Sequence, residues 1–186
     1  LAVLPGAFDP ALALEVAGVS PESLEALRDQ TWLRAEPDAR LAIHPLQRDF
    51  AARQPSAAPG RAAAVLDRLA DHWQARLDRA LAGGAEAAGR VDAGALDQLR
   101  ACAGHLSETR DDARLVAFVD AAARWLVRAG AWKDAAGLLR TAVGRQSLPA
   151  WRRGMLLFSL ADIESQAGDV DRARMDEPLQ ELLQEL

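Results

Sequence analysis

The spacing of apolar and polar residues changes character once along this chain. Up to residue 43 the apolar positions come in short sets broken by proline and glycine, whereas beyond about residue 60 they advance by threes and fours with little interruption. Leu12, Val16 and Val19 make one short stripe, opened by Asp9-Pro10 and closed about Gly18; Leu24 and Leu27 make a second, opened by Ser20-Pro21. Each predicts a short helix with a capping oxygen and a proline in its first turn. Thr31–Arg34 and Arg40–Ile43 read as strands around the turn-rich Glu36-Pro37-Asp38-Ala39, which predicts a β-hairpin. Leu1–Leu4 read as a helix end or a short strand stopped by Pro5-Gly6. At His44-Pro45 the alternation gives way to helical spacing, with Leu46 and Phe50 four apart on one face.

The stretch from Gln54 to Gly60 carries two prolines, a serine and a glycine, and is the expected boundary. It divides the chain into a module over 1–54, a linker over 55–60 and a helical region over 61–186. In that region Val65, Leu66, Leu69, Trp73, Leu77 and Leu81 predict a long helix ended by Gly83-Gly84. Asp92 caps a second helix carrying Leu96, Leu99, Cys102 or Ala103, and Leu106. Further helices are expected from about Thr109 to Ala129, Ala131 to Arg145, Pro149 to Ala167 and Val170 onward. The fold class is therefore mostly α: a small module with a hairpin, then an α-helical array.

Within the array a segment repeats. Aligning Ala123 with Ala161, Gly130 with Gly168 and Ala135 with Ala173 gives an offset of 38 residues, each copy a helix, a glycine turn and a second helix. The pattern resembles the tetratricopeptide repeat, whose period is ~34. Such pairs bury their apolar stripes by stacking, and leave a face on which a peptide or helix can lie. Trp73, Trp125, Trp132 and Trp151 either line that face or belong to the core. Arg140, Arg145, Arg152 and Arg153 either attract an acidic partner or form a solvated face, and the latter is the ordinary reading of charge on helices. The candidate partner-binding set is Trp125, Trp132, Trp151 and Arg152.

Charge and chemistry narrow the function classes. A net charge of -5 argues against broad attraction to nucleic acid or to an anionic membrane. No apolar run is long enough to span a bilayer, and a single cysteine, Cys102, excludes a disulfide framework within the chain, so a reducing cytoplasm is the expected setting. Lys133, in A-W-K-D, is the only lysine and follows no glycine loop, so a P-loop is absent. His44, His72 and His105 lack the spacing of a zinc site, and no G-x-S-x-G elbow occurs. No metal, no cofactor and no catalytic residue is expected here.

Helix, helix, hairpin, helix is the order of a winged-helix module. A DNA-reading version would put the second helix in the major groove, but S-P-E-S-L-E-A-L-R-D-Q sets Glu22, Glu25 and Asp29 against Arg28 alone, and phosphates would repel it. The runs L-P-G-A-F-D-P-A-L-A, L-E-A-L-R-D-Q-T-W-L-R and L-A-I-H-P-L-Q-R-D-F-A resemble instead the winged-helix domain of the STAND family of signalling ATPases and transcriptional regulators. The resemblance covers about the first fifty residues. It implies an upstream nucleotide-binding domain outside this sequence that binds ATP or ADP. It implies that His44 matches a histidine contacting the ADP phosphates, although this chain reads H-P-L where many relatives read H-D-L. It further implies a protein partner or inducer on the array, with oligomerisation on activation. Beside it stand two other readings: an independent helical-repeat adaptor that binds peptides, and a DNA-binding winged helix. His44 read alone either meets a phosphate or simply ends a strand.

Overall fold

The computed structural model describes residues 1–54, 59–83, 91–109, 111–145 and 147–167. Among them the chain is mostly helical, with eight helices and one small antiparallel sheet. The elements are β1 (Ala7–Phe8), α1 (Pro10–Ala17), α2 (Pro21–Asp29), β2 (Leu33–Ala35), β3 (Leu41–Ile43), α3 (Pro45–Ala52), α4 (Pro59–Ala82), α5 (Ala93–Glu108), α6 (Asp112–Arg128), α7 (Trp132–Val143) and α8 (Ala150–Gln166). They group into two compact units, Leu1–Trp73 with Asp92–His105, and Gln74–Val91 with Leu106–Leu186. Residues from both sides of the expected 55–60 linker thus meet in the first unit. Residues 55–58 of that linker lie outside the described residues.

In the first unit the expected caps close the short helices. Asp9 accepts from the Ala11 N–H at 2.8 Å, and Ser20 from the Ser23 N–H at 3.2 Å, each followed by proline at the first helical position. The hairpin forms as β2 and β3, with Leu33 opposite Ile43 and Ala35 opposite Leu41. Asp38 and Ala39 turn it in left-handed conformation. Ala7–Phe8, which the sequence pattern does not mark as a strand, pairs with β3 through Ala7–Ala42 and Phe8–Leu41, so the sheet order is β1-β3-β2. Two residues are too few to display an alternation; β1 exists because the free edge of β3 supplies its hydrogen bonds. Leu1–Leu4 form a turn, with the Leu4 N–H bonded to the Leu1 carbonyl, instead of a helix end or strand.

Leu4, Phe8, Leu12, Val16, Leu24, Leu33 and Leu41 are buried in this unit, as are Val65, Leu69 and Trp73 of α4 and Leu99 and Cys102 of α5. Two polar side chains bridge elements of this unit. Gln98 accepts from the Trp73 indole N–H at 3.0 Å and donates to the Ala7 carbonyl at 3.2 Å. Arg68 donates to the Val16 carbonyl at 2.6 Å, at the end of α1 where a helix leaves carbonyls without partners.

The second unit holds the C-terminal part of α4 and helices α6, α7 and α8, with α6 packed on α7 and α7 on α8. Asp111 caps α6, accepting from the Arg114 N–H at 3.0 Å. The α6–α7 turn closes on Gly130, left-handed at φ 78°, with the Ala131 N–H on the Leu126 carbonyl and the Gly130 N–H on that of Val127. Phe118, Ala122, Trp125 and Leu126 of α6, Ala135 and Leu139 of α7, and Leu156, Leu157 and Leu160 of α8 are buried. The first helix–glycine–helix pair expected from the repeat is thus present as α6–Gly130–α7. In the second copy Ala161 lies in α8, but Gly168 and Ala173 lie outside the described residues, as does the helix expected from Val170.

Candidate functional site

His44 stands between β3 and α3, and the local chemistry puts it there. Backbone at φ -58°, ψ 136° makes it the N-cap of α3, Pro45 takes the first helical position, and Nδ1 accepts from the Leu46 N–H at 3.3 Å. An imidazole capping through Nδ1 carries its neutral-form proton on Nε2, so the exposed ring presents an N–H donor. A phosphate oxygen is a fitting acceptor for it. Capping and phosphate contact use different nitrogens and are compatible.

Next to this cap α3 turns an apolar face outward. Leu46 is 72% exposed and Phe50 55%, and Phe50 meets Trp32 with ring centroids 6.0 Å apart. Gln47 donates to the Thr31 carbonyl at 3.0 Å, tying α3 to the residue that ends α2. Arg48 donates to the Leu4 carbonyl at 2.5 Å. The helix is anchored by its polar residues while its large apolar ones face outward, an arrangement suited to a further covering surface.

Thr31 itself is strained. It closes α2 in left-handed conformation at φ 60°, with the Trp32 N–H on the Leu27 carbonyl and its own N–H on that of Arg28. This is the motif that Gly130 closes in the second unit, but here a β-branched residue occupies the position that favours glycine. Thr31→Gly is expected to raise stability by about 0.5–1 kcal/mol, relief of the left-handed strain exceeding glycine's added freedom in the unfolded chain. Urea denaturation reads it, and a lowered midpoint would show that the threonine side chain contributes more than its backbone costs.

A shallow open cleft beside α2 and β2 is lined by Glu25, Arg28, Asp29, Leu33 and Ala35. The Ser20 hydroxyl and the backbone N–H of Glu22 hold the Glu22 carboxyl below the usual range, so the exposed side of α2 stays anionic.

The candidate partner-binding residues of the array are not equivalent. Trp125 is 2% exposed, in the core of α6, and Trp132 is half-buried at the start of α7. Trp151 is 57% exposed on α8, with the Arg152 guanidinium 5.1 Å from its ring centroid. Trp151 is therefore the exposed member of the set, and Arg152, like Trp132, is half-buried.

Two arginines expected to form a solvated face bind other groups. Arg140 pairs with Glu164, a carboxylate 11% exposed on α8. Arg145 reaches Asp112 and the carbonyls of Ser107 and Thr109. Spacing along one helix reveals only partners on that helix, and these lie 24 to 38 residues away. Among the described residues no group of three or more His, Cys, Asp or Glu side chains converges as a metal site. His105 faces Asp67 at 3.2 Å and His72 faces Glu15 at 3.1 Å. Cys102 is buried, and no described helix is long and apolar enough to cross a membrane.

Compared with known proteins, the chain matches no family model, no curated protein and no solved structure.

Proposed function

We propose that this chain is the non-catalytic regulatory portion of a STAND-type signalling ATPase or transcriptional regulator, working in the cytoplasm. In this reading residues 1–54 are a winged-helix module that restrains an upstream nucleotide-binding domain, and the helical array takes a protein partner or inducer whose binding releases the restraint. ATP and ADP belong to the upstream domain. The observation that carries the reading is His44: exposed, at the elbow of hairpin and helix, with Nδ1 engaged in the cap and Nε2–H able to meet a phosphate. The β1-β3-β2 order and the outward Leu46 and Phe50 support it, since a module that packs on a neighbour needs an apolar contact face.

The test uses the longer protein with its nucleotide-binding domain present. His44→Asp retains an oxygen that caps α3 but loses the phosphate donor and adds a negative charge. ADP release is expected to quicken by about tenfold to a hundredfold, the worth of one charge-assisted hydrogen bond of ~1.5–3 kcal/mol, while unfolding is little changed. Unchanged ADP retention would reject the lock. A second reading, an independent helical-repeat adaptor, draws on the outward apolar residues of α8; it predicts that residues 61–186 capture peptides without the first module.

A further inference from the structure

Strand β2 has a free edge, because the order β1-β3-β2 pairs it on one side only. The register fixes which of its backbone groups are left over. Glu36 donates to the Arg40 carbonyl at 2.8 Å, so Arg34 and Ala42, farther along the same ladder, exchange hydrogen bonds as well. Leu33 and Ala35 alternate with them and turn their N–H and C=O groups away from β3. The same two residues line the cleft beside α2, about 450 Å³ in volume, with Glu25, Arg28 and Asp29 as its other wall. Ala35 is exposed, while Leu33 is 6% exposed and is reached through the cleft. Backbone groups so sheltered from water gain from a bonded partner.

We infer that this edge takes an extended peptide of another protein as an added antiparallel strand, one with lysine or arginine at alternate positions. Main-chain bonds to Leu33 and Ala35 hold the peptide, and the cleft selects its side chains. The inference stands apart from the nucleotide lock.

Strand geometry and charge together specify that selection. In an antiparallel pair, the peptide residues bonded to Leu33 and Ala35 project their side chains on the same face as those two, over the cleft. There the wall of α2 presents the carboxylates of Glu25 and Asp29, four residues apart on one helix face, against the single guanidinium of Arg28. A lysine or arginine on that face lays its methylene stem along Leu33 and Ala35 and brings its charge to a carboxylate. The alternate residues of the peptide stand level with Arg34, whose guanidinium is already paired with Glu36. Uncharged strand formers such as threonine fit there.

The edge does not suit a second copy of itself. Symmetric pairing of two β2 strands through Leu33 and Ala35 meets an obstacle in each register that so short a strand allows. One register sets Arg34 against Arg34 of the other copy, like charges directly opposite. Another sets Leu33 against Pro37, which has no N–H to give. A third sets Ala35 against Thr31, whose left-handed backbone is not extended. A peptide of different sequence meets none of these.

The test titrates chain 1–186, labelled for NMR, with a blocked peptide of alternating threonine and lysine, acetyl-TKTKTK-amide. Binding with a sub-millimolar Kd is expected, with the largest amide shifts at Leu33 and Ala35, and a threonine–glutamate peptide should bind about tenfold more weakly or worse. No shift with the lysine peptide, or equal affinity for the two, overturns the proposal. N-methylation separates an added strand from a merely ionic contact. Methyl groups on the lysine amides, which face β2, are expected to weaken binding by about tenfold or more, and methyl groups on the threonine amides, which face away, to leave it nearly unchanged. Equal affinities of the two methylated peptides, or weaker binding by the threonine-methylated one, overturns the proposal. Ala35→Pro removes an outward N–H that the sheet does not use, and is expected to weaken the lysine peptide by about fivefold or more with the fold kept. Should that variant fail to fold, the methylated peptides still decide. A dimer of the free chain that Ala35→Pro dissociates would assign the edge to a second copy and overturn the proposal.

Discussion

Arg145→Met is expected to destabilise the helical array by about 3 kcal/mol. The guanidinium donates from Nε and Nη2 to one oxygen of Asp112, at 3.1 and 2.8 Å, from Nη2 to the Thr109 carbonyl at 3.1 Å, and from Nη1 to the Ser107 carbonyl. Ser107 and Thr109 lie at the end of α5, where carbonyls lack helical partners, and Asp112 opens α6. One side chain thus fastens two helix termini. Methionine keeps the apolar stem, so the loss measures the polar contacts. Each hydrogen bond to a charged group contributes ~1.5–3 kcal/mol, and partial access of water reduces their sum to a few kcal/mol. Arg145→Lys should recover less than half, because an ammonium cannot reproduce the planar fork.

An acid readout distinguishes this staple from simple packing. The Ser147 hydroxyl and then the Arg145 guanidinium hold the Asp112 carboxyl below the usual range, outweighing burial. Because the folded pKa is depressed, its contribution is complete above the ordinary carboxylate range and is lost as pH falls through the lowered value. Arg145→Met should therefore flatten the acid side of the stability profile as well as lower the plateau. A urea midpoint that barely moves, with an unchanged acid limb, would mean that water replaces the guanidinium at little cost.

How much of this could be read from the residues depends on where each partner lies. Helices α4 to α8 were legible because three-and-four spacing is a local property, and the caps at Asp9, Ser20 and Asp92 act within three residues. Gly130 was legible as a turn because glycine suits the left-handed position; Thr31 makes the same turn with a residue that resists it, and no pattern announces it. β1 was hidden for the opposite reason: its two residues are extended only because β3 lies beside them. His44 was legible as an elbow, but the use of Nδ1 as a cap needed the atoms. Arg145 looked like any exposed helix arginine, since its partners sit on other elements. The exposed stripe of α8 was hidden as well, because a helix apolar on both faces does not disclose which one is covered.

Gly94→Ala should reverse the sign that this substitution has inside most helices. Alanine ordinarily gains up to about 1 kcal/mol over glycine, and that gain is expected at Gly104 on the same helix, where an added Cβ meets nothing within 4 Å. At Gly94 the Cβ would stand 2.5 Å from the Ala7 carbonyl oxygen and 3.0 Å from Arg40 Cζ, with Arg40 Nη2 nearer still. Neither neighbour is a loose end. The Ala7 carbonyl accepts from Arg40 and Gln98, and its strand pairs with β3. Arg40 is held in turn by Asp92 at 2.6 Å, and Asp92 caps α5 through the Ala95 N–H at 2.8 Å. Overpacking so fixed a site costs about 2–3 kcal/mol, and Gly94→Val should cost more.

A second readout follows from the same contact. Burial raises the Asp92 pKa, but hydrogen bonds from Arg40 and the backbone N–H groups of Ala95 and Gly94 outweigh it, so the carboxyl sits below its usual value. If the added methyl displaces Arg40, NMR titration should find that carboxyl moved back toward the ordinary range. A Gly94→Ala protein as stable as the parent, with Asp92 unmoved, would show that β1 and the start of α5 stand farther apart than described. The hairpin module and the first helices of the array would then lack the contact that makes them one unit.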